Sequence, residues 1–321
     1  MSHKFVLAAA QATSIFFDKE ACTKKACDLI EEAGRKGADI VAFGESWLPG
    51  YPTFAHYEDR PLRWEAAAAY IEQAIEIPGP ETDQLCVAAG ASSIDVMIGV
   101  AELDGRSKGT TYCTQLMIGR EGVILGSHRK LKPTMGERIA WGEGTGDDLY
   151  VYDRAYGKVS GLNCWEHYML LPSYALMAQG TQIHVASWPG GDPETLPESP
   201  ASLWAHQDLM SRTFAAQGAC YVISVGGLML PEMVPERFRS LAYENRIIST
   251  IVDPRGEVVA SAPRGEETIL LHEADANLIR AAKSACDVAG HYSRPDVFQL
   301  TVGGTPATDL VPVPPLIGED E

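Results

Sequence analysis

Cys164 stands in the segment Val159-Ser160-Gly161-Leu162-Asn163-Cys164-Trp165-Glu166-His167-Tyr168, directly after an apolar run that reads as a buried strand and before residues able to start a helix. A cysteine at such a bend is a presented nucleophile. The free N–H groups of a helix start stabilise a thiolate, and the N–H of Trp165 can face an oxyanion. An unperturbed thiol titrates at about 8.5, so a thiolate at neutral pH needs stabilisation of that kind. Most cysteines are small buried hydrophobes, and that is the reading for Cys22, Cys27, Cys86, Cys113, Cys220 and Cys286.

Glu45 ends the apolar run at 39–45, where an acid is costly to bury unless it is paired or hydrogen-bonded. Strand ends are where open α/β sheets place their sites, and the two prolines and two glycines within 44–52 fix the loop around this carboxylate. A rigidly held general base fits that position; a loop carboxylate in solvent is the plainer alternative. Ser127-His128-Arg129-Lys130-Leu131-Lys132-Pro133-Thr134 puts four potential cations at another strand end. A surface basic patch is the ordinary meaning of such a run. Strand alternation, however, turns Lys130 away from the side that Arg129 faces, and an ammonium aimed at a reacting centre stabilises an anionic intermediate.

These residues need a scaffold, and the hydrophobic pattern supplies one. Residues 5–12 and 39–45 read as buried strands around a helix at 19–36, a β-α-β opening. Helices at 64–76 and 82–91, split by Pro78-Gly79-Pro80, precede a strand at 95–102. Strands at 111–118 and 123–128 flank Gly119-Arg120-Glu121-Gly122 as a hairpin. A loop at 129–147, long enough to be functional, leads to strands at 148–153 and 158–163. Helices at 172–179 and 200–217 alternate with strands at 182–187 and 220–225. Strands at 247–252, 258–261 and 268–271 read as a meander, followed by a helix at 275–284. Layered α/β with a mixed sheet system follows, as a single domain over 1–298 with an arm or tail at 299–321. The periodicity does not decide between one sheet and two.

With 43 acidic against 26 basic side chains, the formal net charge of −17 repels phosphate backbones and anionic membranes, so nucleic acid is not an expected partner. The same field favours release of an anionic product such as a carboxylate. Seven cysteines without a CxxC pair indicate a reducing compartment. The first residues carry no leader pattern and no stretch approaches a membrane span, so a cytoplasmic protein is expected. No zinc-type spacing, Walker loop or GxGxxG follows any strand, so no cofactor or metal is expected, and Gly190-Gly191-Asp192 reads as pocket wall.

A Glu at a strand end, then Arg-Lys-Leu-Lys-Pro-Thr, then a strand followed by Cys-Trp-Glu: in this order the three segments resemble the nitrilase superfamily over residues 5–298. The resemblance implies a four-layer α-β-β-α sandwich. It makes Glu45 the general base, Lys130 the intermediate-stabilising cation and Cys164 the nucleophile, and it gives Glu137 the place of the family's second glutamate, beside the triad. Cys164-Trp165-Glu166-His167-Tyr168-Met169 and Gly290-His291-Tyr292-Ser293-Arg294-Pro295-Asp296-Val297-Phe298 look like the nitrile-hydrolysing branch.

That branch implies hydrolysis of a small nitrile through a covalent thioimidate and thioester. It also implies homo-oligomers, dimers or larger, including spirals. Trp165, Tyr51 and Trp188 are expected at the substrate, with Trp47 and Tyr57 as further wall candidates. His167 and His291 receive no triad role and read as packed or interface histidines. An amidase or carbamoylase with the same triad, or a catalytically silent assembly scaffold, are the competing readings.

Overall fold

The structure, a computed structural model, describes residues 4–190, 203–242, 248–303 and 305–306. Its first half contains β1 (Lys4–Gln11), α1 (Lys19–Arg35), β2 (Ile40–Ala42), α2 (Arg60–Gln73), α3 (Pro80–Ser92), β3 (Asp95–Leu103), β4 (Thr111–Gly119) and β5 (Val123–Arg129). The second half contains β6 (Tyr152–Arg154), β7 (Gly157–Asn163), α4 (Leu170–Ala178), β8 (Ile183–Trp188), α5 (Leu203–Gly218), β9 (Tyr221–Gly226), β10 (Thr250–Val252), β11 (Val258–Ser261), β12 (Thr268–Asp275) and α6 (Ala276–Ala285). A ribbon of β13 (Thr301–Val302) and β14 (Thr305–Pro306) follows.

Two six-stranded sheets form, in the orders β12-β1-β2-β3-β4-β5 and β11-β10-β9-β8-β7-β6. Each has a parallel trio at its centre, β1-β2-β3 or β7-β8-β9, with antiparallel strands outside it. Alternation along each strand sorts the side chains into layers. From β1, Phe5, Leu7 and Ala9 face the other sheet, where they pack with Val159, Ile183, Val185 and Ile223. Ala8 and Ala10 face outward to Cys22, Ala26 and Ile30 of α1. Across the second sheet, Leu162, Ala186 and Val222 pack with Leu176 of α4 and with Phe214 and Ala215 of α5. The result is helix, sheet, sheet, helix, the four-layer sandwich that the family resemblance implies.

Several boundaries differ from the sequence reading. β2 stops at Ala42 instead of running to Glu45, because the Glu45 N–H leaves the ladder and donates to the Trp188 carbonyl of the other sheet at 3.1 Å. α2 starts at Arg60, where the Asp59 side chain accepts from Leu62 N at 3.2 Å. Most of the expected strand at 148–153 is a 3-10 turn and loop, because the Asp148 carboxylate turns inward to accept from the Arg129 N–H and meet His128. The expected meander divides between sheets: β10 and β11 pair with each other, whereas β12 crosses to the first sheet and runs antiparallel to β1. The long loop contains two 3-10 turns, Met135–Ile139 and Gly146–Asp148. The start of the expected helix at 200, the strand start at 247 and most of the tail lie outside the described residues. No helix among the described residues is long and apolar enough to cross a membrane.

Candidate active site

Three chain segments converge where the two sheets meet. Glu45 is carried just past β2 and is buried, its backbone passing so close to β3 that a Cβ on Gly99 would lie 2.5 Å from Ser46 N and 2.9 Å from Glu45 Cα. Lys130 follows β5 directly; its N–H donates to the Cys113 carbonyl at 2.7 Å, and its side chain is buried. Cys164 follows β7 with φ +49, a left-handed conformation that costs a residue with a side chain roughly 1–3 kcal/mol. Such a bend turns the thiol out of the strand direction and into the space between the other two segments.

The Lys130 ammonium donates to Glu45 Oε1 at 2.6 Å and to Glu137 Oε2 at 2.7 Å. Cys164 Sγ and one oxygen of each carboxylate lie within 4.8 Å of one another, so the cation held by these two acids is the lysine itself. Glu137 is the more fully satisfied acid: Oε2 also accepts from Thr134 N at 2.6 Å, and Oε1 accepts from the Tyr51 hydroxyl at 2.8 Å. Glu45 Oε2, by contrast, is buried and has no hydrogen-bond partner among the described residues.

The charges follow from these surroundings. Burial raises the Glu45 carboxyl to about 7, with Lys130 pulling it down and Glu137 pushing it up. Burial also opposes charge on Lys130, yet Glu45 and Glu137 outweigh it and hold the ammonium well above its ordinary value. For Cys164, burial and then Glu45 push the thiol well above the usual range, against the opposing pull of Lys130 and the Trp165 backbone N–H. This corrects the expectation of a thiolate stabilised by a helix start. Only a five-residue 3-10 turn, Cys164–Tyr168, follows the cysteine, and burial, with Glu45 and Glu137 adding to it, outweighs the Lys130 charge and the Trp165 N–H. The resting sulfur is a thiol, so nucleophilic attack from it would require an acceptor for its proton.

Behind Glu45, Lys130 and Cys164 lies a network that sequence reasoning missed. Glu166 accepts from Leu131 N at 2.8 Å and Asn163 N at 2.9 Å, so one carboxylate ties the Lys130 segment to the Cys164 turn. His128 Nε2 donates to both Glu166 oxygens at 3.0 and 3.1 Å, and its Nδ1 to Asp148 at 2.8 Å. Burial opposes charge on His128, but the two carboxylates prevail and raise it to about 10. A signal existed: Thr134 to Glu137 and Asn163 to Glu166 both have capping-box spacing. Cys113, read as a plain core residue, points its sulfur to within 3.5 Å of Glu45 Oε1.

The other expected residues divide. Tyr51 is buried at the site; its hydroxyl proton goes to Glu137, so the contact with His56 Nε2 at 3.1 Å is a donation from the imidazole. Trp165 stacks on His206 with ring centroids 5.9 Å apart. Trp188 is buried and stacks on His167 at 5.2 Å, and its carbonyl receives the Glu45 N–H. Trp47 is core, donating through Nε1 to Ala12 O, and the Tyr57 hydroxyl bonds Ala242 O. His167 is packed, with Nδ1 2.7 Å from the Cys164 carbonyl and Nε2 3.0 Å from His184 Nε2, whereas His291 is exposed. Of the Gly-Gly-Asp segment only Gly190 is among the described residues.

Residues 6–284 match the family described as carbon–nitrogen hydrolase. A protein named Nitrilase 2, from an unknown prokaryotic organism, is 48% identical over 301 residues, 92% of this chain and 91% of that protein. An aliphatic nitrilase of Rhodococcus rhodochrous is 37% identical over 308 residues, 93% of this chain and 82% of that protein. Among solved structures, Saccharomyces cerevisiae Nit3, described as a member of branch 10 of the nitrilase superfamily, matches with a TM-score of 0.70 at 22% identity, covering 91% of this chain and 97% of Nit3. At that identity the likeness speaks for the fold alone.

Proposed function

The chain belongs to the carbon–nitrogen hydrolase family, and on that premise we propose that it is a nitrilase, hydrolysing an organic nitrile to the carboxylic acid and ammonia. The observation that carries the chemistry is a buried lysine gripped by two carboxylates beside a buried cysteine. Glu45 accepts the Cys164 proton as sulfur attacks the nitrile carbon; one C–N π pair moves to the nitrogen, which takes that proton from Glu45, and a thioimidate forms. Water, deprotonated by Glu45, adds to that carbon. Lys130 and the Trp165 N–H stabilise the tetrahedral species, ammonia leaves, and a second water releases the acid from the thioester and restores the thiol. Glu137 keeps Lys130 aimed and charged. Tyr51, Trp165 and Trp188 are assigned to substrate binding, Tyr51 through its contact with Glu137.

Assembly into homodimers or larger oligomers is part of this reading. Exposed apolar side chains support it: Leu170 is 75%, Tyr292 65% and Phe298 78% exposed, and Leu171, Tyr292 and Phe298 line one groove. A reducing, cytoplasmic setting suits a thiol nucleophile, and all seven cysteines are free.

The test is ammonia release from paired nitriles and amides, aliphatic and aromatic, by wild type and Cys164→Ala side by side. Nitrile turnover that disappears in a folded variant supports the assignment. Amide turnover that outpaces the matched nitrile moves the protein to the amidases, and an active Cys164→Ala removes the nucleophile.

A further inference from the structure

The two oxygens of Glu45 are not equivalent. Oε1 accepts from the Lys130 ammonium at 2.6 Å and has Cys113 Sγ 3.5 Å away, whereas Oε2 is buried without a hydrogen-bond partner among the described residues. Cys113 lies on β4, fully buried, and its carbonyl also receives the Lys130 N–H at 2.7 Å. One residue therefore touches both the backbone that carries the cation and the carboxylate that the cation grips. We propose that Cys113 is a positioning residue for the reaction: its thiol donates to Glu45 Oε1, so that Lys130 and Cys113 together occupy one oxygen and leave Oε2 to exchange the proton with Cys164.

This rests on Glu45 being the general base. In the step assigned to Oε2, the S–H bond of Cys164 breaks, an O–H bond forms on Oε2, the freed sulfur pair attacks the substrate carbon, and a C–N π pair moves to the nitrogen, which takes the proton from Oε2. A carboxylate free to rotate would offer either oxygen, including one already engaged by a cation and correspondingly less basic. A burial-raised thiol is suited to the task, because Cys113 sits well above the ordinary thiol range, held there by burial and by Glu45 itself, and keeps its proton. The charged and titratable groups facing Glu45 are Lys130 after β5, Glu137 in the 3-10 turn, Cys113 on β4, Cys164 after β7 and Tyr70 on α2. Of these, Cys113 and Lys130 are its direct hydrogen-bond donors.

The test is the pH profile of kcat/KM, with kcat and KM, for wild type, Cys113→Ala, Cys113→Val and Cys113→Ser. Loss of a donor to the carboxylate destabilises its ionised form, so the acid limb in Cys113→Ala moves to higher pH, with kcat falling about threefold or more and KM changing less. Cys113→Val fills the space with somewhat more bulk than the thiol and no donor, and behaves like the alanine variant; it gives the answer if the alanine variant does not fold. Cys113→Ser restores a donor and recovers most of the loss. An unmoved acid limb and kcat in the alanine and valine variants overturn the inference, as does a serine variant no better than valine, which would mark the position as packing alone. Glu45→Gln separates the two claims. Turnover surviving in that variant overturns the base assignment and this inference together, whereas a dead Glu45→Gln beside an unmoved Cys113 series overturns this inference alone.

Discussion

Two carboxylates grip Lys130 through bonds of 2.6 and 2.7 Å, yet their remaining oxygens meet different surroundings. Glu137 receives donors on both oxygens, whereas Glu45 keeps one oxygen unpartnered and is raised by burial to about 7. Divergent environments of this kind divide acid–base work between like residues. Because the base must be ionised to accept the thiol proton, kcat/KM is expected to fall as pH drops through the neutral region, checked by initial rates across pH. Glu137 pushes the Glu45 carboxyl up, so Glu137→Gln should move that acid limb to lower pH. It should also cost about tenfold or more in kcat through a less well held ammonium. A thiol, an acid and a cation at strand ends made Cys164, Glu45 and Lys130 candidates, and the resemblance of the three segments, in their order, to the nitrilase superfamily assigned their roles. His128 and Cys113 could not be picked out. Their role depends on partners 38 and 68 positions away, and nothing local in either residue distinguishes it from packing.

At the scale of elements, the site is a set of strand ends held by backbone proximity and by one buried charge network. Gly99 lets β3 pass against the Glu45 backbone. Gly99→Ala is expected to cost roughly 1–3 kcal/mol, measured by urea unfolding, and to lower kcat by displacing Glu45. The His128 clamp gives a pH signature. Its folded value of about 10 lies above the ordinary 6.5, so its contribution to stability is fully present below 6.5 and is lost as pH rises through about 10. The gap in thermal midpoint between wild type and His128→Asn should therefore be widest below 6.5 and close toward alkaline pH. Periodicity located most of the helices and buried strands, since alternation and the 3.6-residue pattern report burial directly. It could not show that β12 joins β1, because pairing across more than two hundred residues leaves no local trace. Nor could it show that β2 ends early, since Phe43 and Gly44 stay buried beyond the last strand residue, Ala42.

At the scale of the molecule, two sheets pack face to face and the three residues proposed for catalysis come from both of them, with Glu45 and Lys130 beyond strands of one and Cys164 beyond a strand of the other. Neither sheet alone carries the chemistry, so loosening the sandwich should abolish turnover before it abolishes secondary structure. The exposed apolar side chains Leu170, Leu171, Tyr292 and Phe298 belong to this scale as well. Leu170→Asp combined with Leu171→Asp should shift sedimentation toward the monomer, and an unchanged distribution would place the subunit contact elsewhere. The central claim is covalent catalysis at Cys164, and the most direct test is a rapid acid quench during nitrile turnover followed by intact-mass and peptide analysis. The account predicts a transient adduct, with the mass of the added nitrile or of its acyl group, confined to the Cys164 peptide and absent in Cys164→Ala. Steady turnover that never loads Cys164 and survives its replacement would contradict it.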